Sequence, residues 1–143
     1  MKKTKAISSE TMVFRVHKYV PKWTLWEKTA DNGMRTYSLE YQKEGRVARM
    51  VDLNTPVMRA KLRYMRDYQP EQLMELLNNG KLYLFLRRLD GKVEAAVDRQ
   101  VQLWQDTDED YLAAEGDFFK QFAILQRLRM EAEHMLYDTM VYV

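Results

Sequence analysis

The chain has 143 residues, of which 46% are hydrophobic and 31% are charged, a composition typical of one ordinary globular domain. It has no cysteine, which excludes disulfides, thiol catalysis and thiolate metal sites and fits a reducing compartment, so we expect a cytoplasmic protein. The basic start is followed by no apolar segment, and there is no run of about 18 apolar residues. Neither a signal peptide nor a membrane span is therefore expected.

Charge is divided unevenly along the chain. Residues 1–66 hold 15 Lys and Arg against 6 Asp and Glu, a net charge of +9, whereas residues 67–143 hold 8 against 15, a net charge of −7. This asymmetry indicates either two surfaces for different partners or two segments that neutralise each other within the fold. The sequence leaves both interpretations open.

Residues 1–54 read as a basic antiparallel β-meander. Residues 37–41 alternate apolar and polar side chains with the period of two that half-buried strands show. Asp31-Asn32-Gly33 predicts a type I′ hairpin turn, and a second turn is expected at residues 43–45. Residues 12–20 alternate in the same way and are a candidate fourth strand.

From Thr55 the period changes to that of helices. Thr55-Pro56 predicts the cap and first position of a short basic helix, and Pro70 begins a second helix that ends at Asn78-Asn79-Gly80. The apolar face of the first helix consists of Met58, Leu62 and Met65.

Two long helices follow in the predicted order. Apolar residues from Leu82 to Trp104 keep one face, and a cap at Thr107 or Asp108 begins a final helix that runs past Leu136. A short loop between them predicts antiparallel packing. The residues expected between these two helices are Leu89, Val93, Val97, Phe118, Phe122 and Leu125. The predicted fold is one α+β domain, with a sheet of three to four strands in residues 1–54 and a helical bundle in residues 55–143.

The sequence shows no apparatus for catalysis. His17 is expected to be exposed on a strand, and no cysteine or oriented serine accompanies it. Glu131 and His134 have the spacing of di-iron ligands, but that motif occurs only once. We therefore expect no enzyme, no catalytic residue and no cofactor.

A run of acids resembles the start of a calcium-binding loop. Asp106, Asp108 and Asp110 have the ligand spacing, with Asp117 at the last position, but Tyr111 stands where a glycine turn is required. Carboxylates in the first turn of a helix also complement its dipole, which is the simpler interpretation. No metal site is expected.

The basic half contains the main candidate binding surface. Three arginines recur along the first helix, and on the strands lysines and arginines interleave with Trp and Tyr, the combination that single-strand binders use. The alternative is that the aromatic residues pack the sheet while the charges only face solvent. The candidate set comprises Arg59, Arg63, Arg66, Lys18, Lys22, Lys28, Arg35, Arg46, Arg49, Trp23 and Trp26.

Four stretches resemble the transposon-encoded TnpV-like family of small proteins from bacterial mobile elements. They are Leu62-Arg63-Tyr64-Met65, the run from Leu76 to Leu86 around Gly80-Lys81-Leu82, the run from Arg129 to Leu136, and Met140-Val141-Tyr142. The resemblance lies mainly within residues 62–143. The chain departs from the family in having His134 and Thr139 where acidic residues are expected, and a longer N-terminal strand region.

The resemblance implies a bacterial mobile-element context and a small accessory protein without a catalytic motif. The first hypothesis is an accessory or regulatory protein that binds nucleic acid or a nucleoprotein complex through the basic half. The second is an inhibitor of a host defence protein, such as an anti-CRISPR protein that blocks an RNA-guided nuclease by phosphate mimicry. Its acidic face would comprise Asp106, Asp108, Glu109, Asp110, Glu115 and Asp117. A homodimer through the long helices is a further expectation, and no membrane partner is expected.

Overall fold

The computed structural model describes residues 3–8, 22–43 and 46–143. The strands among these residues are β1 (Lys3–Ser8), β2 (Lys22–Thr29), β3 (Arg35–Lys43) and β4 (Arg46–Asp52), and the helices are α1 (Pro56–Tyr68), α2 (Pro70–Asn78), α3 (Leu82–Thr107), α4 (Glu109–Ala113) and α5 (Phe118–Met140). The strands form one antiparallel sheet in the order β1-β2-β3-β4. The predicted α+β fold, with a four-stranded sheet followed by helices, is confirmed.

The fourth strand differs from the predicted one. It is β1, whose Ala6 pairs with Trp26 and whose Ile7 pairs with Leu25. Its sequence is mostly polar, as edge strands often are, and therefore carries no alternation signal. The predicted strand at residues 12–20, including His17 and Lys18, lies outside the described residues.

The β2–β3 hairpin lies where the sequence placed it, but with a longer loop. The backbone N–H of Ala30 donates to the carbonyl oxygen of Met34 at 2.8 Å, which encloses the three residues Asp31–Gly33. Gly33 has a φ of +85°. The loop therefore belongs to the three-residue class with glycine in the left-handed region, and the predicted two-residue type I′ turn is wrong.

Contacts divide the chain into two compact units, residues 1–88 and residues 89–143, called unit 1 and unit 2 below. The predicted boundary between strands and helices at residue 54 lies within unit 1, because α1 packs on β3 and α2 packs on β2. The core of unit 1 joins one face of the sheet to these helices and to the first turns of α3. Its buried residues are Leu25, Tyr37, Leu39, Leu53, Met58, Leu62, Met65, Leu73, Leu77, Leu82 and Leu86.

Both predicted helix starts in unit 1 are confirmed. The Thr55 hydroxyl accepts a hydrogen bond from the Met58 N–H at 3.2 Å, with Pro56 next to it in the first turn. α2 begins at Pro70, and Gly80 follows it with a φ of +69°. A Cβ atom at Gly80 would lie 3.0 Å from the indole nitrogen of Trp23, so the end of α2 sits directly against β2.

In unit 2 the predicted final helix is two helices. Asp108 caps the short helix α4, Gly116 then takes a φ of +89°, and Asp117 caps α5 by accepting from the Lys120 N–H at 3.2 Å. The glycine in the left-handed region and the second aspartate cap together end one helix and begin the next. Arg129 of α5 binds Glu94 and Asp98 of α3, while Arg127 contacts Asp108 just beyond the end of α3, the order expected for the predicted antiparallel pair.

The predicted core between the long helices is partly wrong. Val93 and Val97 are buried as expected, but Phe118 and Phe122 are 73% and 52% exposed, and Leu89 and Leu125 are only half-buried. The break at Gly116 sets a new helix phase, so the apolar positions counted from Tyr111 do not continue on one face. The buried residues of α5 are Leu128 and Ala132.

Candidate nucleic-acid interface

Two of the three arginines predicted on α1 have partners inside unit 1. The Nε of Arg66 lies 3.3 Å from an Oε of Glu27, a carboxylate that is almost fully buried. Arg59 lies against the hairpin loop, with its Nη1 4.0 Å from the sulfur of Met34. Arg66 therefore anchors α1 to the sheet, and Arg63 is the most open of the three.

A second ion pair fixes the same end of the hairpin. Arg35 donates from Nη1 to an Oδ of Asp67 at 3.0 Å, and this bond is the largest cause of the raised pKa of Arg35. The sequence singled out Arg35 as a candidate nucleic-acid contact. Its charge is instead offset by Asp67, so Arg35 contributes little to an open cationic surface.

A buried polar group that the sequence did not reveal lies beside these pairs. The Tyr37 hydroxyl is buried without a well-aligned hydrogen-bond partner among the described residues. Burial raises the pKa of Tyr37, and the neighbouring Glu27 carboxylate raises it further. Tyr37 therefore stays neutral, and together with Glu27 and Arg66 it forms part of the junction between α1 and the hairpin.

Lys61 is the second polar residue that sequence patterning missed. It lies on the buried side of α1, and its Nζ is 5.4 Å from the centre of the Tyr64 ring. Burial lowers the pKa of Lys61. This lysine belongs to the packed side of the helix and takes no part in the solvent-facing charge of unit 1.

The open cations of unit 1 lie mainly on the edge strand β4. Residues 46–50 are all exposed, and within the described part of the chain neither Arg46 nor Arg49 makes an ion pair. Lys28 and Arg63 are likewise exposed and unpaired by described residues. Arg46, Arg49, Lys28 and Arg63 therefore supply cations that nothing described in the fold neutralises. Of the other lysines, Lys22 is the first residue of β2 and Lys18 lies outside the described residues.

The two candidate tryptophans are half-buried and held by the fold. Trp23 lies 4.6 Å from Tyr41, between ring centres, and covers Gly80. The indole N–H of Trp26 donates to an Oε of Glu40 at 2.6 Å. The structure therefore gives Trp23 a packing role, and of the two only Trp26 lines an open surface.

That open surface is a cleft of about 350 Å³ lined by residues of β2, β3 and β4. Its walls include Trp26, Lys28, Met50 and Asp52, with the nearly buried Glu40 carboxylate at its base. Gln42 also donates to Glu40, at 2.7 Å. With two carboxylates against one lysine, this cleft does not favour a phosphate backbone, and the cations of β4 are the better candidates.

Unit 2 carries the opposite charge and neutralises part of it with two arginines of α5. Arg127 lies 3.1 Å from Asp108, 3.6 Å from Asp110 and 3.9 Å from Glu131. Arg129 lies 2.7 Å from Glu94, 2.9 Å from Asp98 and 3.3 Å from Glu133. Of the six acids predicted as a binding face, Asp108 and Asp110 are therefore internal partners. The other four acids form no ion pair with a described residue, namely Asp106, Glu109, Glu115 and Asp117.

The acids that resemble a calcium loop do not converge on a common point. The carboxylates of Asp108 and Asp110 face Arg127, and Asp117 caps α5. In the described part of the chain, no three His, Cys, Asp or Glu side chains are grouped so as to hold a metal ion. A separate cleft of about 500 Å³ beside Asp108 and Glu131 is lined largely by polar atoms of the same acidic region.

The two units carry the same net charges as the two halves of the sequence. Unit 1 holds 18 Lys and Arg against 9 Asp and Glu, a net charge of +9, whereas unit 2 holds 5 against 12, a net charge of −7.

No helix among the residues described is long and apolar enough to cross a membrane. Comparison of the chain with protein-family models, with curated proteins and with solved structures finds no match in any of the three.

Proposed function

We propose that this chain is a non-catalytic, cytoplasmic accessory protein of a bacterial mobile element that binds nucleic acid, alone or in a nucleoprotein complex, through unit 1. The observation that carries the proposal is the exposed strand β4, whose Arg46 and Arg49 have no partner among the described residues of a unit with a net charge of +9. The resemblance of residues 62–143 to the TnpV-like family supports the genetic setting.

Charge and exposure favour this surface on physical grounds. A phosphate backbone binds by releasing its counterions to lysines and arginines, which requires cations that are not already paired. Arginine also donates two parallel hydrogen bonds to a phosphate group. Arg63 and Lys28 add exposed charges to the same unit, while Arg35 and Arg66 are committed to Asp67 and Glu27.

The test is charge reversal on β4, read by the fluorescence anisotropy of labelled single-stranded and double-stranded oligonucleotides of mixed sequence. The Arg46→Glu, Arg49→Glu double variant should bind about tenfold more weakly or worse, because it removes two phosphate contacts and adds two repulsive charges. Arg66 is unsuitable for this purpose, since its reversal would place two carboxylates together in the junction with Glu27.

The matched control is the Lys92→Glu, Arg99→Glu double variant on α3. Both residues are exposed in unit 2 and make no ion pair with described residues, so the change in net charge is identical. The control should keep most of the wild-type affinity. Equal losses in the two variants, or no binding by the wild-type protein at physiological salt, would contradict the proposal.

A second candidate function is inhibition of a host RNA-guided nuclease by the acidic unit 2. The observation in its favour is the set of four acids, Asp106, Glu109, Glu115 and Asp117, that no described residue neutralises. Under this candidate the wild-type protein slows DNA cleavage by such a nuclease, and the Asp106→Asn, Glu109→Gln, Glu115→Gln variant loses the effect. Reversal of Arg46 and Arg49 would then leave inhibition intact.

A further inference from the structure

Three aromatic side chains at the start of α5 are open to solvent. Phe118 and Phe119 are 73% and 83% exposed, and Phe122 is 52% exposed. The ring centres of Phe118 and Phe119 lie 5.7 Å apart, and those of Phe118 and Phe122 lie 6.3 Å apart. We call Phe118, Phe119 and Phe122 the phenylalanine patch.

The interior of unit 2 does not use these rings. Its buried positions are filled by Val93, Val97, Ala114, Leu128, Ala132 and Val141. Three adjacent phenylalanines left in water are unfavourable relative to burial, because each exposes a large apolar surface. A contiguous cluster of large exposed aromatic residues is typical of a protein-binding surface, since such residues dominate interface energies.

The charges around the patch select the kind of partner. The segment that leads into it contains the exposed acids Glu109, Glu115 and Asp117, none of which forms an ion pair with a described residue, although Asp117 also caps α5. Lys120 is the one cation in the same stretch from 106 to 120. A second copy presenting the same patch would bring these acids against each other, whereas a basic partner would be attracted to them.

The shape of the patch favours a helical partner. Phe118 and Phe122 are four residues apart on α5 and form a short ridge along it, with Phe119 beside them. An amphipathic helix lays its apolar side chains along such a ridge through positions spaced by three and four residues. We infer that the phenylalanine patch and its surrounding acids form a docking surface for a basic amphipathic helix of another protein.

This inference goes beyond the proposed function and does not depend on it. Nucleic-acid binding is assigned to Arg46 and Arg49 of unit 1, whereas the docking surface belongs to unit 2. Variants of the patch should therefore leave oligonucleotide binding unchanged, and reversal of Arg46 and Arg49 should leave peptide docking unchanged. The oligonucleotide-binding and peptide-binding experiments can therefore contradict one proposal without affecting the other.

The experiment uses the full chain and a synthetic helical peptide of leucine and lysine, about 14 residues long, so that it forms about four turns. Binding is followed by isothermal calorimetry. The peptide should bind the wild-type protein, and an analogue with glutamate in place of each lysine should bind about tenfold more weakly or not at all. A peptide of the same composition with scrambled order should also bind weakly, because it lacks the apolar stripe.

The decisive variant is Phe118→Ser, Phe122→Ser, which should weaken binding of the leucine–lysine peptide by about tenfold or more. Met130→Ser is the matched control, since Met130 is also an exposed apolar residue of α5 outside the patch. Circular dichroism should show that both variants keep the wild-type helix content. The Glu109→Gln, Glu115→Gln variant should weaken binding through the loss of charge alone.

Four outcomes would overturn the inference. The first is no binding of the leucine–lysine peptide by the wild-type protein, and the second is equally tight binding of the glutamate analogue. The third is equally tight binding of the leucine–lysine peptide by the Phe118→Ser, Phe122→Ser variant. The fourth is a wild-type dimer in sedimentation experiments that is lost in the same double variant. That result would assign the patch to a second copy of this chain.

Discussion

The interiors of the two units contain side chains of different size. Unit 1 buries its large side chains, including Tyr37, Leu62 and Met65, between a sheet face and two helices. Unit 2 buries mainly valine and alanine along α3 and α5 and leaves Phe118 and Phe119 in solvent. An apolar pattern on a helix therefore indicates that a face is suited to burial, while the surrounding elements decide whether the fold itself covers it.

The units also differ in how they use charge. In unit 1, Arg35 and Arg66 are paired with Asp67 and Glu27, and cations remain in excess. In unit 2, Arg127 and Arg129 each contact three carboxylates, and acids remain in excess. Ion pairing therefore occurs within each unit and leaves net charges of opposite sign on the two units.

The largest expected effect is the truncation of a buried leucine in unit 1. Leu77→Ala should lower the free energy of unfolding by about 2 to 5 kcal/mol, because it opens a cavity in a fully buried position. Urea denaturation followed by tryptophan fluorescence measures this change. Leu84→Ala, at an exposed position of α3, is the control and should have a small effect. Similar costs for the two variants would contradict the packing of α2 on the sheet.

Gly80→Ala should have the next largest effect, a loss of about 1 kcal/mol or more. Alanine is strained at a φ of +69°, and its Cβ would press on the indole nitrogen of Trp23. Gly91→Ala is a control in which we expect stabilisation instead. Gly91 lies within α3 with open space around it, so alanine there should raise the free energy of unfolding by about 0.5 to 1 kcal/mol. Thermal unfolding distinguishes the two, and stabilisation by Gly80→Ala would contradict the observed cap.

A smaller effect is expected from Lys61→Met, and it should depend on pH. Since burial lowers the pKa of Lys61 in the folded state, the charged lysine opposes folding at every pH below that lowered value. Lys61→Met should therefore melt at a higher temperature than wild type at pH 7. The difference in melting temperature between Lys61→Met and wild type should become smaller as the pH rises from the lowered pKa of Lys61 towards the ordinary lysine pKa of 10.5.

The control for this pH dependence is Lys81→Met, because Lys81 is exposed. Its melting temperature should follow that of the wild-type protein across the same pH range. A Lys61→Met variant that is less stable than wild type at pH 7, or a gap that does not change with pH, would show that burial does not penalise the Lys61 charge.

The smallest effect should come from Phe122→Ala. The sequence pattern places Phe122 in a core, where truncation would cost about 3 to 5 kcal/mol. The exposure of its ring in the structure predicts a change within about 0.5 kcal/mol instead. Chemical denaturation of this variant separates the two expectations directly. A loss of several kcal/mol would mean that Phe122 is covered in solution.

Much of the fold could be predicted because its signals are local. Thr55-Pro56 and Asn79-Gly80 mark helix ends through their own backbone preferences, and the hairpin is marked by Asn32-Gly33. The break at Gly116 was missed because an isolated glycine within a helical pattern is a weak signal. β1 was missed because an edge strand of polar residues has no periodic signal.

The candidate site was less predictable because pairing is a property of the folded chain. Arg35 and Arg49 look alike in sequence, but the first meets Asp67, which is 32 residues away, while the second meets no described acid. The same holds for the acids, of which Asp108 is neutralised by Arg127 and Glu109 is not. Composition predicted the sign of the net charge in each part of the chain. The tertiary contacts determine which charged side chains remain without an ion-pair partner among the described residues.

The most direct test of the central claim, that cations of β4 contact phosphates, is the salt dependence of duplex DNA binding. The logarithm of the binding constant falls linearly with the logarithm of the salt concentration, and each phosphate contact adds about 0.9 to the steepness of that slope. Arg46→Gln, Arg49→Gln should reduce the wild-type slope by about 1 to 2 units, while Lys92→Gln, Arg99→Gln should leave it unchanged. An unchanged slope in the β4 variant would contradict the account.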